Sequence, residues 1–485
     1  MRAIWTTLAA LTAVLPATVS LADEANATAE NPTLEQRLEQ AEQRIRVLER
    51  RLELADETAT AATKSTPVVK AAPAGVSIAA ADSSTVIKLR GNLAVDGRFF
   101  FDQNTPSTAD TFLLRRARPY IEGTVGNIYD FRFMPDFGGG RTVVQDAYVN
   151  ARFKSWFAVQ AGKFKGPVGL ERLQPDQYNR FLELGFPSAL LPNRDLGVQV
   201  SGAVLAGTLT YSVGYFDGVN DGASTDANTV ADLDNDGKRD WEGRVFALPF
   251  LNSGHFALRG LGVGIGASYV NSTGTATSSA TTVNTTSLLP GYKTPGQQSL
   301  FGYRNDTAST PTINEATIAD GVRRRVTPQV YYYLGPVGLL GEYAEVTQQV
   351  RRQVDATTTR RATLQHSAWQ VSASWFLTGE EAAYASFTPR SNFQPGKPGT
   401  GAWELVARYQ AIDLDPQAFT GGSASFANPT TAARAARAFG LGVNWYLNQN
   451  FKWQIDYERT RYDGGATTGD RPDEQAALTR FSLVF

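Results

Sequence analysis

Three arginines and an acid crowd one short run: Phe112-Leu113-Leu114-Arg115-Arg116-Ala117-Arg118-Pro119-Tyr120-Ile121-Glu122. Guanidiniums this close repel one another. Such a cluster persists most easily where anions or partner carboxylates compensate it. Arginine offers forked donors that match phosphate and carboxylate oxygens. If the run is a strand, side chains alternate between its two faces. Arg116, Arg118, Tyr120 and Glu122 then share one face, and Ala117, Pro119 and Ile121 the other. Arg115 has the wrong parity for the charged face, so a bulge or the strand's end is predicted there. A competing reading puts these arginines at an external rim, holding lipopolysaccharide phosphates.

Other candidate chemistry is thinner. Asp232, Asp234 and Asp236 in Asp232-Leu233-Asp234-Asn235-Asp236-Gly237 have the carboxylate spacing of a calcium loop. Gly243 stands where an EF-hand needs a bidentate Glu, and the flanks read as strand. A polar external turn is therefore the favoured reading, with calcium as the alternative. The two histidines, His255 in a predicted turn and His366 on a strand, form no triad or metal cluster in sequence. Hydroxyl nucleophiles usually need a positioned base. No enzyme and no cofactor is expected.

Composition limits the elements that can position these residues. The chain has 485 residues, with Lys+Arg 46 against Asp+Glu 47, so no global field points to nucleic acid. Cys is 0, which excludes disulfides and thiolate metal sites. Mean hydropathy is −0.26, too polar for a bundle of membrane helices. A membrane barrel tolerates it, because its lumen-facing positions are polar.

The N-terminus reads as three modules. Arg2, the apolar stretch Leu8 to Val19 and the small residues around Ser20-Leu21-Ala22 form a secretory signal over 1–22. In 23–55, Leu34, Leu38, Ala41, Ile45, Leu48, Leu52 and Ala55 alternate spacings of four and three, a heptad seam. Glu35, Glu42 and Glu49 flank it on one side and Arg37, Arg44 and Arg51 on the other. A periplasmic coiled-coil segment with a trimer-favouring pattern is predicted. Residues 56–85, rich in Ala, Thr, Ser and Pro, are expected to be a flexible linker.

From Val86 to Phe485 the pattern is β, with lopsided punctuation. Tight joints at Gly126-Asn127, Lys154-Ser155, Ala206-Gly207, Gly335-Pro336 and Asn448-Gln449 alternate with long polar segments near 166–194, 217–239, 272–321, 415–433 and 463–474. Short periplasmic turns and longer external loops alternate in this way in transmembrane barrels. One long segment, 377–401, falls where a periplasmic connection is due. About 16 strands are predicted, with both chain ends on the periplasmic side. Apolar sets such as Phe439, Leu441, Val443, Trp445 and Leu447 alternate with Gly440, Gly442, Asn444 and Tyr446. The apolar sets are assigned to lipid and the polar sets to the lumen. The chain ends inside a strand, Ala477 to Phe485. Its open edge is expected to pair with a strand near Ile87–Phe101, with Arg480 inward and Phe481, Leu483 and Phe485 toward lipid. The fold class is all-β: a 16-stranded antiparallel transmembrane β-barrel over 86–485, preceded by a short coiled-coil helix.

Several segments carry a specific resemblance: Phe112 to Glu122, Gly162-Lys163-Phe164-Lys165, Gly169-Leu170-Glu171-Arg172, Leu377-Thr378-Gly379-Glu380, Gly401-Ala402-Trp403-Glu404-Leu405 and Leu441-Gly442-Val443-Asn444-Trp445-Tyr446. Over about Ile87 to Phe485 the chain resembles the phosphate-selective porin O/P family. The resemblance implies an outer-membrane homotrimer of barrels, each pore narrowed by inward-folding loops, with 166–194 as a constriction loop. It implies that Arg115 and Arg116 bind the permeating anion, that Asp146 is the acidic residue of the constriction, and that Arg172 replaces an anion-binding lysine. Arg118 and Lys165 stand where a phosphate-selective member has tyrosines, which favours anions in general over phosphate alone. Arg351, Arg352, Arg360 and Arg361 are candidates for a vestibule ladder or for a lipopolysaccharide-facing rim. The expected function is passive diffusion of small anions across the outer membrane of a Gram-negative bacterium, among lipid and lipopolysaccharide. The alternatives are a channel for neutral or zwitterionic nutrients and a structural anchor using the coil.

Overall fold

The computed structural model describes residues 33–101, 109–140, 142–218, 236–278, 283–305 and 314–485. Among them, eighteen strands form one continuous sheet. Sixteen close a barrel and two form a hairpin at its edge. The barrel strands are β1 (Val86–Phe100), β2 (Thr111–Val125), β3 (Tyr129–Asp136), β4 (Val143–Lys154), β5 (Phe157–Lys165), β6 (Arg194–Val204), β7 (Leu209–Phe216) and β8 (Asp240–Ala247). They continue as β9 (Leu261–Thr273), β10 (Thr317–Leu334), β11 (Val337–Gln353), β12 (Thr359–Phe376), β13 (Ala402–Asp413), β14 (Ala433–Tyr446), β15 (Phe451–Gly464) and β16 (Glu474–Val484). Each pairs antiparallel with its neighbour in sequence. β16 returns to β1, from Ala476 opposite Phe100 to Val484 opposite Asn92. Phe485 finishes the seam by exchanging hydrogen bonds with Gly91, at 2.8 and 3.0 Å. The open edge of the last strand is thereby removed.

Period-two alternation sets the wall. On β16, Arg480 is 2% exposed and faces inward, while Phe481 is 44% exposed on the outer face. Bare aromatic and aliphatic side chains of this kind recur on the outside of most strands, among them Phe133, Val149, Val213, Tyr215, Trp241 and Leu441. Leaving them in water costs roughly 25 cal/mol per Å², so a lipid environment matches the pattern. Near the turn ends of β13 to β16, Trp403 stacks on Trp445 at 4.9 Å and Trp453 on Phe481 at 5.1 Å. They form part of an interfacial aromatic belt.

Three features differ from the sequence-based expectations. The first is 56–85, expected to be a flexible linker. Helix α1, Leu34 to Ser65, extends into its first part, because Ala-rich sequence extends a helix readily. A hairpin follows, Val68–Ala72 with Gly75–Ala79, and its second strand pairs with Val86 to Leu89 of β1 just beyond the end of β16. Gly75 is required in its turn: φ is +101°, and an added Cβ would lie 2.3 Å from the Leu89 carbonyl.

The second concerns the 166–193 segment, L3, which the sequence pattern predicts to be polar. It buries Val168, Leu170, Phe181, Leu182, Phe186, Leu190 and Leu191. It folds into the barrel and packs with Leu300, Phe301, Phe426, Val346 and Leu364 into an apolar core inside the lumen. The third concerns the lumen face of β11 and β12. It is apolar where that core sits, at Ala344, Val346, Val350, Leu364 and Ala368.

Helix α1 stands as a separate unit. Its start is a reciprocal cap. The Gln36 side chain accepts from the Thr33 amide at 3.1 Å, and the Thr33 hydroxyl accepts from the Gln36 amide at 3.4 Å. Its seam is uncovered, with Leu34 88% and Leu52 67% exposed.

Candidate functional site

The inner wall divides by task. Side chains of β10 to β16 hold L3. Its buried amides and carbonyls must find partners, and they do. Leu170 and Glu171 donate their amides to Glu342, at 2.6 and 3.2 Å. Phe186 donates to Gln410 and Leu182 to Asp456, each at 2.7 Å. Lys452 and Arg480 donate to the carbonyls of Asn179 and Leu182, both at 2.7 Å. The long segment 377–401 also reaches L3. The Tyr384 hydroxyl donates to the Leu170 carbonyl at 2.6 Å, and Arg180 donates to the Ala383 carbonyl at 2.7 Å.

Against β1 to β8, L3 leaves a cavity of about 520 Å³. Its charged lining is unequal: Arg90, Arg118, Arg132, Lys165, Arg194 and Arg244 against Glu122, Asp146 and Asp176. At its edge, Arg118 bonds Asp136 at 2.6 Å and also reaches Asp176 of L3. Arg116 approaches Asp176 at 3.3 Å, and Lys165 approaches the same carboxylate at 3.4 Å. Burial works against the Asp176 carboxylate, but Arg116, Lys165 and Arg118 together hold it well below the usual carboxylate range. Deeper in the wall, Asp146 bonds Arg194 at 2.6 Å and lies 3.5 Å from Arg132. Arg132 also bonds Glu122 at 2.6 Å and sits over the rings of Tyr120 and Tyr148.

Arg115 is the extra residue of a bulge. Arg116 faces Ala94, Leu114 faces Val95, and Arg115 has no counterpart in the register. The bulge turns it inward, where it lies 3.3 Å from Glu183 of L3. Arg98 reaches the same carboxylate at 2.9 Å and Arg480 at 3.4 Å. Burial opposes the charged form of Glu183, yet Arg115, Arg480 and Arg98 outweigh it and bring its pKa down to about 2.

Of the residues predicted from sequence, Arg118, Asp146 and Lys165 line the cavity. Arg115 and Arg116 clamp L3 beside it. Arg172 is turned into L3 and donates to the Ser188 carbonyl. Burial, opposed by Glu342, lowers its pKa to about 10. The external arginines divide by parity. Arg352 holds Glu315 at 3.2 Å, and Arg360 donates to Thr420 and lies over Phe426. Arg351 and Arg361 share Asp320, at 3.2 and 3.0 Å. Asp232 and Asp234 lie outside the described residues, and Asp236 accepts the amides of Lys238 and Thr273. Among the described residues no group of three His, Asp or Glu side chains is placed to hold a metal ion. His366 is buried between the Tyr303 hydroxyl, 2.8 Å from Nε2, and the Asp415 amide, which donates to Nδ1 at 3.0 Å. Sequence reasoning missed Asp176, Glu183, Arg132, Arg194 and Arg244. Only the inward parity of β3, β6 and β8 hinted at the arginines, and nothing local marked the two acids.

A closed barrel with a lipid-facing girdle and a charged cavity beside an inward-folded loop is an outer-membrane channel of the porin class. The chain belongs to the family described as phosphate-selective porin O and P, whose pattern matches residues 87–485, and is a protein of the Gram-negative outer membrane. It is similar to Porin O of Pseudomonas aeruginosa, with 22% identity over 441 residues, 88% of this chain and 94% of that one. Among solved structures, the outer membrane channel DcaP of Acinetobacter baumannii aligns with TM-score 0.49 and 10% identity, over 83% of this chain and 98% of that one. OmpT of Vibrio cholerae aligns with TM-score 0.48 and 12% identity, over the same shares.

Proposed function

We propose that this porin is a passive diffusion channel preferring small anions, with phosphate among its permeants. The carrying observation is the cavity lining, six cations against three carboxylates. A low-dielectric wall around a narrow water path focuses that imbalance. The Arg115, Arg116 and Arg118 cluster serves two ends: it raises the local positive potential and clamps L3. The uncovered seam of α1 supports assembly as a homotrimer through a periplasmic coil. Cross-linking of the full chain in outer membranes would return monomers alone if that assembly were wrong.

Reversal potentials in asymmetric potassium chloride test the selectivity, and a potential showing cation preference sinks the reading. Arg244→Gln refines the test. Arg244 donates to the neutral Gln329 amide at 2.8 Å and lies over Phe246, so its removal takes a charge from the lining while sparing the ion pairs. A smaller anion preference is the expected outcome. A second reading, a channel for zwitterionic nutrients, draws on the carboxylates Asp146 and Asp176 set among the cations. It requires a reversal potential near zero.

A further inference from the structure

Asp176 is placed as a bound anion would be. Three cations from two strands converge on it: Arg116 and Arg118 of β2 on Oδ2, and Lys165 at the end of β5 on Oδ1. It lies on a single turn of L3, Asp176–Tyr178, entered from Pro175. Its side chain borders the cavity and keeps 17% of its surface open. L3 has further attachments besides it. The amides of Leu170, Leu182 and Phe186 are held by β11, β15 and β13 on the opposite wall.

We propose that Asp176 is a tethered competitor that fills the oxyanion-binding position of the constriction, and that a permeating carboxylate or phosphate passes by exchanging with it. The identity of the permeant rests on the anion-preferring reading; the role of Asp176 does not. A carboxylate held on its own loop faces the cations at an effective concentration on the order of millimolar or higher. It leaves no empty, fully desolvated cation cluster and keeps a passing oxyanion from binding too tightly. Conduction needs that balance between entry and release. Exchange requires only a side-chain swing, because the turn is also held by its flanking carbonyls: Gln174 accepts from Lys165 at 3.1 Å and Asn179 from Lys452 at 2.7 Å.

The experiment uses the full-length protein in planar bilayers, with chloride current titrated by inorganic phosphate and reversal potentials in asymmetric potassium chloride. Asp176→Asn, with Asp176→Ser as a second neutral variant, is expected to raise the anion-to-cation permeability ratio. It is also expected to lower the half-blocking phosphate concentration roughly tenfold. Asp176→Glu, which restores a carboxylate, brings both values back toward wild type. Adding Arg118→Gln to Asp176→Asn removes the gained block. Neutral variants whose block and selectivity match wild type overturn the proposal, as does a gained block that survives Arg118→Gln. Cation preference in the wild type defeats the anion reading alone and leaves the wild-type-to-variant difference as the test of Asp176.

Discussion

Arg480 holds together two parts of the molecule that lie far apart in sequence. It grips Asp96 through two hydrogen bonds, at 2.6 and 2.7 Å, across the seam between the last strand and the first. Its remaining donors reach the Leu182 carbonyl and Glu183 of L3. Removing one partner of a buried pair strands the other charge. Asp96→Ala should therefore destabilise the barrel by roughly 3–5 kcal/mol, read as a lower urea midpoint for loss of β-sheet signal. Replacing both residues, with Asp96→Leu and Arg480→Met, should cost less than the single change. Arg480's inward direction was legible from parity. Its partner was not, because only barrel closure brings residue 96 to residue 480.

Among the elements, L3 borders the charged cavity, and its docking carries a pH signature. The Glu183 pKa falls to about 2 when L3 is clamped by Arg115, Arg480 and Arg98, against about 4.3 for a free glutamate. A depressed pKa contributes stability that is present above the free value and lost as pH falls toward the folded one. Single-channel conductance should therefore stay constant from about pH 7 to 5 and become unstable as pH falls from about 4 toward 2. Glu183→Gln should show that instability already at neutral pH. The bulge at Arg115 was readable from one misplaced charge in a strand. The inward fold of L3 was not readable from residue types and spacing; the family resemblance alone implied it. Burying L3's apolar side chains requires Val346, Leu364, Gln410 and Asp456, which lie far downstream in the chain and become one wall only when the sheet closes.

At the scale of the molecule, the lumen is split between a wall that holds loops and a wall that faces water. The boundary with the N-terminal region also moves. The hairpin Val68–Ala79 belongs to the barrel sheet, so the separable part is the helix and not everything before β1. A chain lacking 23–65 should keep wild-type conductance and selectivity in bilayers, and loss of its oligomer on cross-linking would identify α1 as the assembly device. A chain lacking 23–85 should be less stable, because it exposes Val86 to Leu89 as a bare strand edge. Equal thermal unfolding of the two truncations would refute the hairpin's structural role.

The sequence by itself determined the barrel: period-two alternation and the spacing of turns dictate a closed, lipid-facing sheet, since those are local patterns with local physical causes. It also marked Arg116 and Arg118, because charge on an inward parity is visible one strand at a time, whereas Asp146 and Lys165 were singled out by the family resemblance. Only the tertiary structure decided which charges meet. Asp176 among Arg116, Arg118 and Lys165, Glu183 under three arginines, and the linker turned hairpin all depend on contacts between segments remote in the chain. Such contacts follow from how the loops fold inward and what they bury, which no local pattern records.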